Sequence, residues 1–225
     1  FFASDGAAAE DCLTRFLLRL AEPTEIDGCA LKLGASIGLT RLGTSRLAIE
    51  CLRQADIAMY AAKKRGKMQI AIYDESMEAP LREMIAVKDE LVHAIEDKLI
   101  TVKYQPIISA KTGEIEALEA LARWTSPVRG NVAADLFIKV AEEFCLIGKL
   151  GELILMRVID DLKRLPNVRV AMNVSTAQIA TFAFVELLEK HILSGDVRGD
   201  LLDIEITETH LVHDPDIILQ VMNRL

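Results

Sequence analysis

The stretch Glu114-Ile-Glu-Ala-Leu-Glu-Ala-Leu-Ala-Arg123-Trp124 decides how the chain is read. Alanine, leucine and glutamate are strong helix formers, so intrinsic preference alone makes 114–123 a helix. On its upstream side, Ile100 to Ile108 reads as a strand. Downstream, helices over 134–146 and 148–165 lead to an apolar strand at Val168 to Val174. A helix over 182–193, a strand from Leu201 to Ile206 and a further helix opening at Pro215 follow. Strands alternating with helices predict β/α units around a mainly parallel sheet or barrel, and hence an α/β fold class.

Farther upstream, Leu81, Met84, Ile85, Leu91 and Ile95 recur at helical spacing between charges, which predicts a linker helix over 80–98. Before it, Ala7 to Leu20 reads as a helix with Leu13, Phe16, Leu17 and Leu20 on its apolar face. Cys29 to Thr40 alternates and reads as one strand, bent or closely approached at Gly34 and Gly38. Ser45 is placed to cap the next helix, whose Ile49, Leu52, Ile57, Met59 and Tyr60 make a buried face and which stops at Gly66. Gln69 to Tyr73 closes this part as a short strand. Formal charge divides at the same place: residues 1–74 sum to +1 and residues 75–225 to −9. A domain boundary near residue 75 is expected.

Composition excludes several classes. With 51% apolar and 27% charged residues the 225-residue chain is neither disordered nor low-complexity. No run approaches the ~18 apolar residues that a membrane helix needs, and Phe1-Phe2-Ala3-Ser4-Asp5 opens no signal peptide. The first residue is not Met, and the chain is expected to be a piece of a longer one. Cys12, Cys29, Cys51 and Cys145 show no C-x-x-C spacing and have apolar neighbours, so buried, reduced thiols of a cytoplasmic protein are expected. The net charge of −8 argues against non-specific nucleic-acid binding, the densest basic run being Lys63-Lys64-Arg65-Gly66-Lys67.

Two sets of motifs fall in tandem. Ser36-Ile37-Gly38, then Ala55-Asp56-Ile57-Ala58-Met59-Tyr60-Ala61-Ala62-Lys63 and Gly66, resemble the closing part of the GGDEF family, the diguanylate cyclases. Tyr104-Gln105-Pro106-Ile107, Glu119-Ala120-Leu121-Ala122-Arg123-Trp124, Phe137-Ile138 with Ala141-Glu142, Asn173-Val174-Ser175 and Glu205-Ile206-Thr207-Glu208 resemble, in order, the opening half of the EAL family. EAL proteins are phosphodiesterases of cyclic di-guanylate (c-di-GMP). The resemblance turns 114–123 into a strand. It also implies an architecture: the C-terminal part of a GGDEF α/β domain over 1–74, a linker helix over 75–98, and the first half of an EAL TIM-like β/α barrel over 99–225.

Both Glu116-Ala117-Leu118 and Glu119-Ala120-Leu121 spell the family motif. Only the second is followed at the right distance by Arg123-Trp124, so Glu119 is the candidate metal ligand. The resemblance implies that Glu119, Asn173 and Glu205 hold Mg2+ or Mn2+, that Gln105 and Arg123 contact the substrate, and that Glu208 anchors a loop over the metals. Oxygen donors suit such hard cations, and two of them can neutralise a phosphodiester while activating a water. His210 and His213 are expected to be surface residues. The family's later aspartate pair and its general-base lysine are expected beyond Leu225, so the piece by itself is expected to be inactive. In the GGDEF part Lys63 matches a phosphate-contacting lysine, and Lys67 stands where the pattern has arginine, which loses a bidentate fork.

The resemblance thus implies a parent phosphodiesterase that opens c-di-GMP to linear pGpG. It is fused to a diguanylate cyclase or GTP-binding regulatory domain and is homodimeric through its EAL part. Such a protein is cytoplasmic, or the cytoplasmic part of a membrane-anchored sensor. The other reading is a degenerate EAL domain that serves as a c-di-GMP receptor.

Overall fold

Helical and alternating apolar spacings turn into short elements in the first part of the chain and longer ones in the second. The computed structural model describes residues 6–26, 29–42, 47–66, 68–165, 167–179, 182–206, 219–221 and 224. The chain divides into two units, residues 1–84 and 85–225.

The first unit runs α1 (Gly6–Leu20), β1 (Thr24–Ile26), β2 (Cys29–Leu31), β3 (Ile37–Leu39), α2 (Ala48–Lys64) and β4 (Ile70–Ile72). β1 and β2 pair antiparallel, and β3 pairs parallel with β4. The single strand expected from Cys29 to Thr40 is therefore two strands in two sheets. Its second half is drawn onto α2. A Cβ at Gly38 would lie 1.9 Å from the Ala55 carbonyl oxygen and 2.3 Å from the Met59 nitrogen, so only glycine fits there. The same approach resets the buried face of α2. Ile57 is buried as expected, but Ile49 and Leu52, also expected inside, are 71% and 63% exposed, and Cys51, Gln54, Ala58 and Ala62 face inward with Ile57. Small side chains let a helix backbone come close to a strand. The N-cap position is Leu47, which makes no side-chain cap bond, and Ser45 lies outside the described residues. The helix gives way near Gly66, whose φ of +121° suits glycine.

In α3 (Glu78–Glu96), which spans the division between the units, Val87, Leu91 and Ala94 are buried. The second unit continues with β5 (Thr101–Ile108), β6 (Ile115–Ser126), β7 (Gly130–Val132), α4 (Ala134–Glu143), α5 (Ile147–Leu162), β8 (Val170–Val174), α6 (Thr176–Ile179), α7 (Ala183–Leu193) and β9 (Leu202–Ile206). The strand order is β5-β6-β8-β9, with β7 on β6. The stretch of helix formers is thus strand β6. It lies between β5 and β8 and buries Ala117, Ala120 and Trp124, so ladder bonds and packing on both sides override helix preference.

The sheet is less parallel than expected. β8 runs parallel to both β6 and β9, but β5 and β7 are antiparallel to β6. The 109–114 connection, turning at Gly113 with φ +74°, is too short for a parallel crossover. One face of the sheet carries the core. Leu155, Val158, Ile159 and Leu162 of α5 and Phe184, Val185 and Leu188 of α7 pack on Ala120, Val170, Met172, Val174 and Leu202. Trp124 meets Phe137 of α4 edge to face, with ring centroids 5.9 Å apart.

The expectation of uniformly buried cysteines holds for Cys51 only in part of the set: Cys12 and Cys145 are exposed, and all three thiols are free. Cys12 is on the outer side of α1, and Cys145 occupies the tight turn after α4 with φ +56°.

Candidate functional site

Strand register builds the site. Gln105 of β5 lies opposite Glu119 of β6, Glu119 opposite Ala171 of β8, and Asn173 of β8 opposite Glu205 of β9. Side chains on paired rungs share a face, and those two residues apart along a strand return to it. Gln105, Glu119, Asn173 and Glu205 therefore stand on one face, opposite the one that α5 and α7 cover. Asn173 donates from Nδ2 to Glu119 Oε1 at 2.8 Å. Glu119 is half-buried, while Gln105, Asn173 and Glu205 are exposed.

The register also separates the two copies of the Glu-Ala-Leu text. Pairing with β5 passes from Ile107–Ala117 to Ile108–Ile115 and skips Glu116, which sits at a bulge and takes no rung. Glu119 is on the regular ladder. Arg123 follows on the same strand, half-buried, with Nη1 donating to the Ala122 carbonyl at 2.9 Å.

The β6–β8 ladder ends at Ala120–Met172, and β6 goes on to pair with β7 from Trp124 to Ser126. A concavity of about 390 Å³ lies where the two strands part, lined by Arg123, Asp135, Glu142, Asn173, Ser175 and Gln178 together with apolar residues of α4 and α5. Ligand sites of α/β sheets occupy such crevices at the carboxyl ends of strands. Around it, Tyr104 donates its hydroxyl to Asp161 Oδ2 at 2.8 Å, tying β5 to α5. Burial and that carboxylate push the Tyr104 hydroxyl above the usual tyrosine range. At the far end of β6, Ser126 donates to Glu90 of α3 and Arg129 Nε donates to Glu90 Oε1 at 2.7 Å. Ser126 above all holds the Glu90 carboxyl below its ordinary range; burial opposes it, and Arg129 adds to the lowering.

Glu119, Asn173 and Glu205 form an all-oxygen donor set. The Asn173 amide gives its hydrogen to Glu119, which leaves Oδ1 as an acceptor. Two carboxylates and an amide oxygen suit a hard divalent cation such as Mg2+ or Mn2+. Among the described residues no three His, Cys, Asp or Glu side chains gather as a cation nest.

Of the other residues singled out from the sequence, Lys63 lies exposed in the last turn of α2, in the first unit. Lys67, Glu208, His210, His213 and Pro215 lie outside the described residues. The sequence reading passed over Tyr104 as a tether and Gln178, whose Oε1 accepts from the Ser175 backbone N–H at 2.8 Å. The Ser-x-x-Gln spacing of Ser175 and Gln178 is a helix-capping signature and was the available signal for the latter. No helix among the described residues is long and apolar enough to cross a membrane.

The chain is 31% identical to the cyclic di-GMP phosphodiesterase PdeR of Escherichia coli, over 97% of this chain and 34% of that protein. It is 27% identical to the bifunctional diguanylate cyclase/cyclic di-GMP phosphodiesterase MucR of Pseudomonas aeruginosa, over 99% of this chain and 33% of that one. It spans about a quarter to a third of the length of the curated relatives it matches. Among solved structures, the PaMucR phosphodiesterase in complex with c-di-GMP superposes with a TM-score of 0.56 at 26% identity, covering 62% of this chain and 60% of that one. The family model for the EAL domain matches residues 88–225. That match takes in more than half of the chain and every residue aligned on the open face of the sheet, and the chain belongs to the EAL domain family.

Proposed function

We propose that this chain is part of a phosphodiesterase that opens c-di-GMP to linear pGpG with two divalent cations, Mg2+ or Mn2+. The observation that carries the reading is the 2.8 Å contact between Asn173 and Glu119 on a face that also holds Glu205 and Gln105. Polar side chains are ordinary on an exposed sheet face, and what favours the reading is that these four bring carboxylate and amide oxygens side by side, as a cation-dependent phosphodiester site requires. The names of PdeR and MucR support the same substrate.

In this reading Glu119, Asn173 and Glu205 hold the cations. Cations bound there would neutralise phosphoryl charge and lower the pKa of a water so that it could give up a proton and serve as nucleophile at neutral pH. Gln105 orients the substrate from across the Glu119 rung. Arg123, at the edge of the concavity, pairs with a phosphate oxygen as a planar guanidinium does well. Attack of water on phosphorus breaks one ester bond of the ring and leaves a free hydroxyl and a terminal phosphate. Glu208 would anchor the loop that follows β9.

The domain organisation belongs to the same proposal: residues 1–74 end a GGDEF domain, 75–98 form the linking helix and 99–225 open the EAL barrel. The alignment to MucR over 99% of the chain supports it. In that first domain Lys63 and Lys67 are the residues that would contact GTP, and the EAL part would pair with a second copy.

The test is hydrolysis by the full-length protein, with products separated by ion-exchange chromatography. Accumulation of pGpG only when Mg2+ or Mn2+ is added is the expected result. Tight c-di-GMP binding without any pGpG would replace the enzyme by a receptor.

A further inference from the structure

Gln178 is 4% exposed, one of few buried polar side chains among the described residues. A buried amide needs polar partners, and Gln178 Oε1 has one in the backbone N–H of Ser175, at 2.8 Å. Ser175 is the residue at which β8 ends and α6 begins, two positions beyond Asn173. The bond is the returning half of a capping box, in which the third helical residue reaches back to the N-cap amide. It fixes the peptide that terminates β8 and so the strand end from which the Asn173 amide reaches Glu119.

The room for this amide comes from another helix. At Gly151 of α5 a Cβ would stand 1.6 Å from Gln178 Nε2 and 2.8 Å from its Cδ. Three residues earlier on the same helix, a Cβ at Gly148 would meet nothing within 4 Å. Glycine weakens a helix interior, and at 151 that cost has a structural counterpart that it lacks at 148.

We infer that Gln178, seated against Gly151, is a positioning residue for the cation site: it holds the end of β8 so that Asn173 is presented to Glu119. The inference rests on the proposed function, since it presumes a cation at Glu119, Asn173 and Glu205. It concerns how the site is held and not what binds.

The experiment measures Mn2+ binding by titration calorimetry on the full-length protein, with Tm recorded for each variant. Gln178→Ala and Gly151→Ala each lower Mn2+ affinity by roughly 10- to 100-fold, the range for residues that orient a metal ligand. Gly148→Ala, the same change where there is space, keeps wild-type affinity with an equal or higher Tm. Gln178→Glu retains an acceptor at the same reach and stays within about threefold of wild type. If Gln178→Ala does not fold, the contrast between Gly151→Ala and Gly148→Ala carries the test. Wild-type Mn2+ affinity in folded Gln178→Ala or Gly151→Ala, with only Tm reduced, overturns the inference and leaves the proposed function standing. A wild-type protein that takes up neither Mn2+ nor Mg2+ overturns both.

Discussion

The two units spend similar apolar sequence in different ways. Among the described residues of 1–84 the strands are three residues long and pair in twos, and Ala58, Ala62 and Ala71 form a buried cluster. Leu47, Ile49 and Leu52 remain largely exposed on α2. In residues 85–225 a continuous five-stranded sheet collects a core from two long helices, and its other face carries Gln105, Glu119, Asn173 and Glu205 beside Ala117, Leu121 and Ala171. Apolar periodicity is present in both. What separates them is whether strands long enough to carry several rungs give the helices a surface to cover, because paired strands without such a layer bury little. The candidate site is a consequence of the larger sheet: a functional face needs a packed face behind it to hold it still.

The strongest way to break this comparison is to remove matched side chains from the two units. Phe137→Ala takes away a fully buried ring and its edge contact with Trp124, and costs about 3–5 kcal/mol in urea unfolding. Ile49→Ala, at an exposed position of the first unit, stays within about 0.5 kcal/mol of wild type. Equal losses at the two sites would dissolve the distinction.

Next in size is chemistry on the open face. Glu119→Gln keeps the shape of the side chain and removes its charge, and lowers kcat/KM for c-di-GMP hydrolysis by the full-length protein by about 100-fold or more, with Tm little changed. An unaltered rate would show that the polar face is not where turnover happens. Tyr104→Phe leaves Asp161 without its hydroxyl donor and costs about 1 kcal/mol, read from the same denaturation curves. No loss there would mean that packing alone ties β5 to α5.

The smallest effect is a pH dependence. The Glu90 carboxyl is held below its unfolded value by Ser126 and Arg129, so its contribution is complete above the unfolded carboxylate range. It is lost as pH falls through the folded value. Glu90→Gln is accordingly less stable than wild type near neutrality, and the gap in Tm closes as the solution is taken into the acid range. A gap of constant size from pH 7 down to pH 3 would argue that the carboxylate contributes through shape and not charge.

Four of the residues named from motifs, Gln105, Glu119, Asn173 and Glu205, fall on one face of the sheet. Gln105, Glu119, Arg123, Asn173 and Glu205 were all singled out by motif, because cation and phosphate chemistry restricts residue types strongly. The element pattern of the second unit was also readable, since helices and strands there are long enough to show their periods. Legibility failed where neighbours far away in the chain decide. The break in Cys29 to Thr40 comes from the approach of α2 at Gly38, and the turned face of α2 from the same contact. Gln178 escaped notice because a glutamine in a sequence does not reveal that a glycine 27 positions earlier makes room for it.

Taken alone, the sequence determined the α/β class of the second unit and, through the motifs from Tyr104 to Glu205, the EAL family. Period and chemistry are local properties, and a chain carries them wherever it folds. The family motif had already implied a strand here against helix preference, and tertiary structure alone decided that Glu116 falls at a bulge while Glu119 takes a rung, and that Asn173 meets Glu119. Helix and strand differ little in intrinsic free energy over ten residues, and partners on both sides of β6 supply the difference. Register then assigns every side chain to a face, and only paired strands have a register.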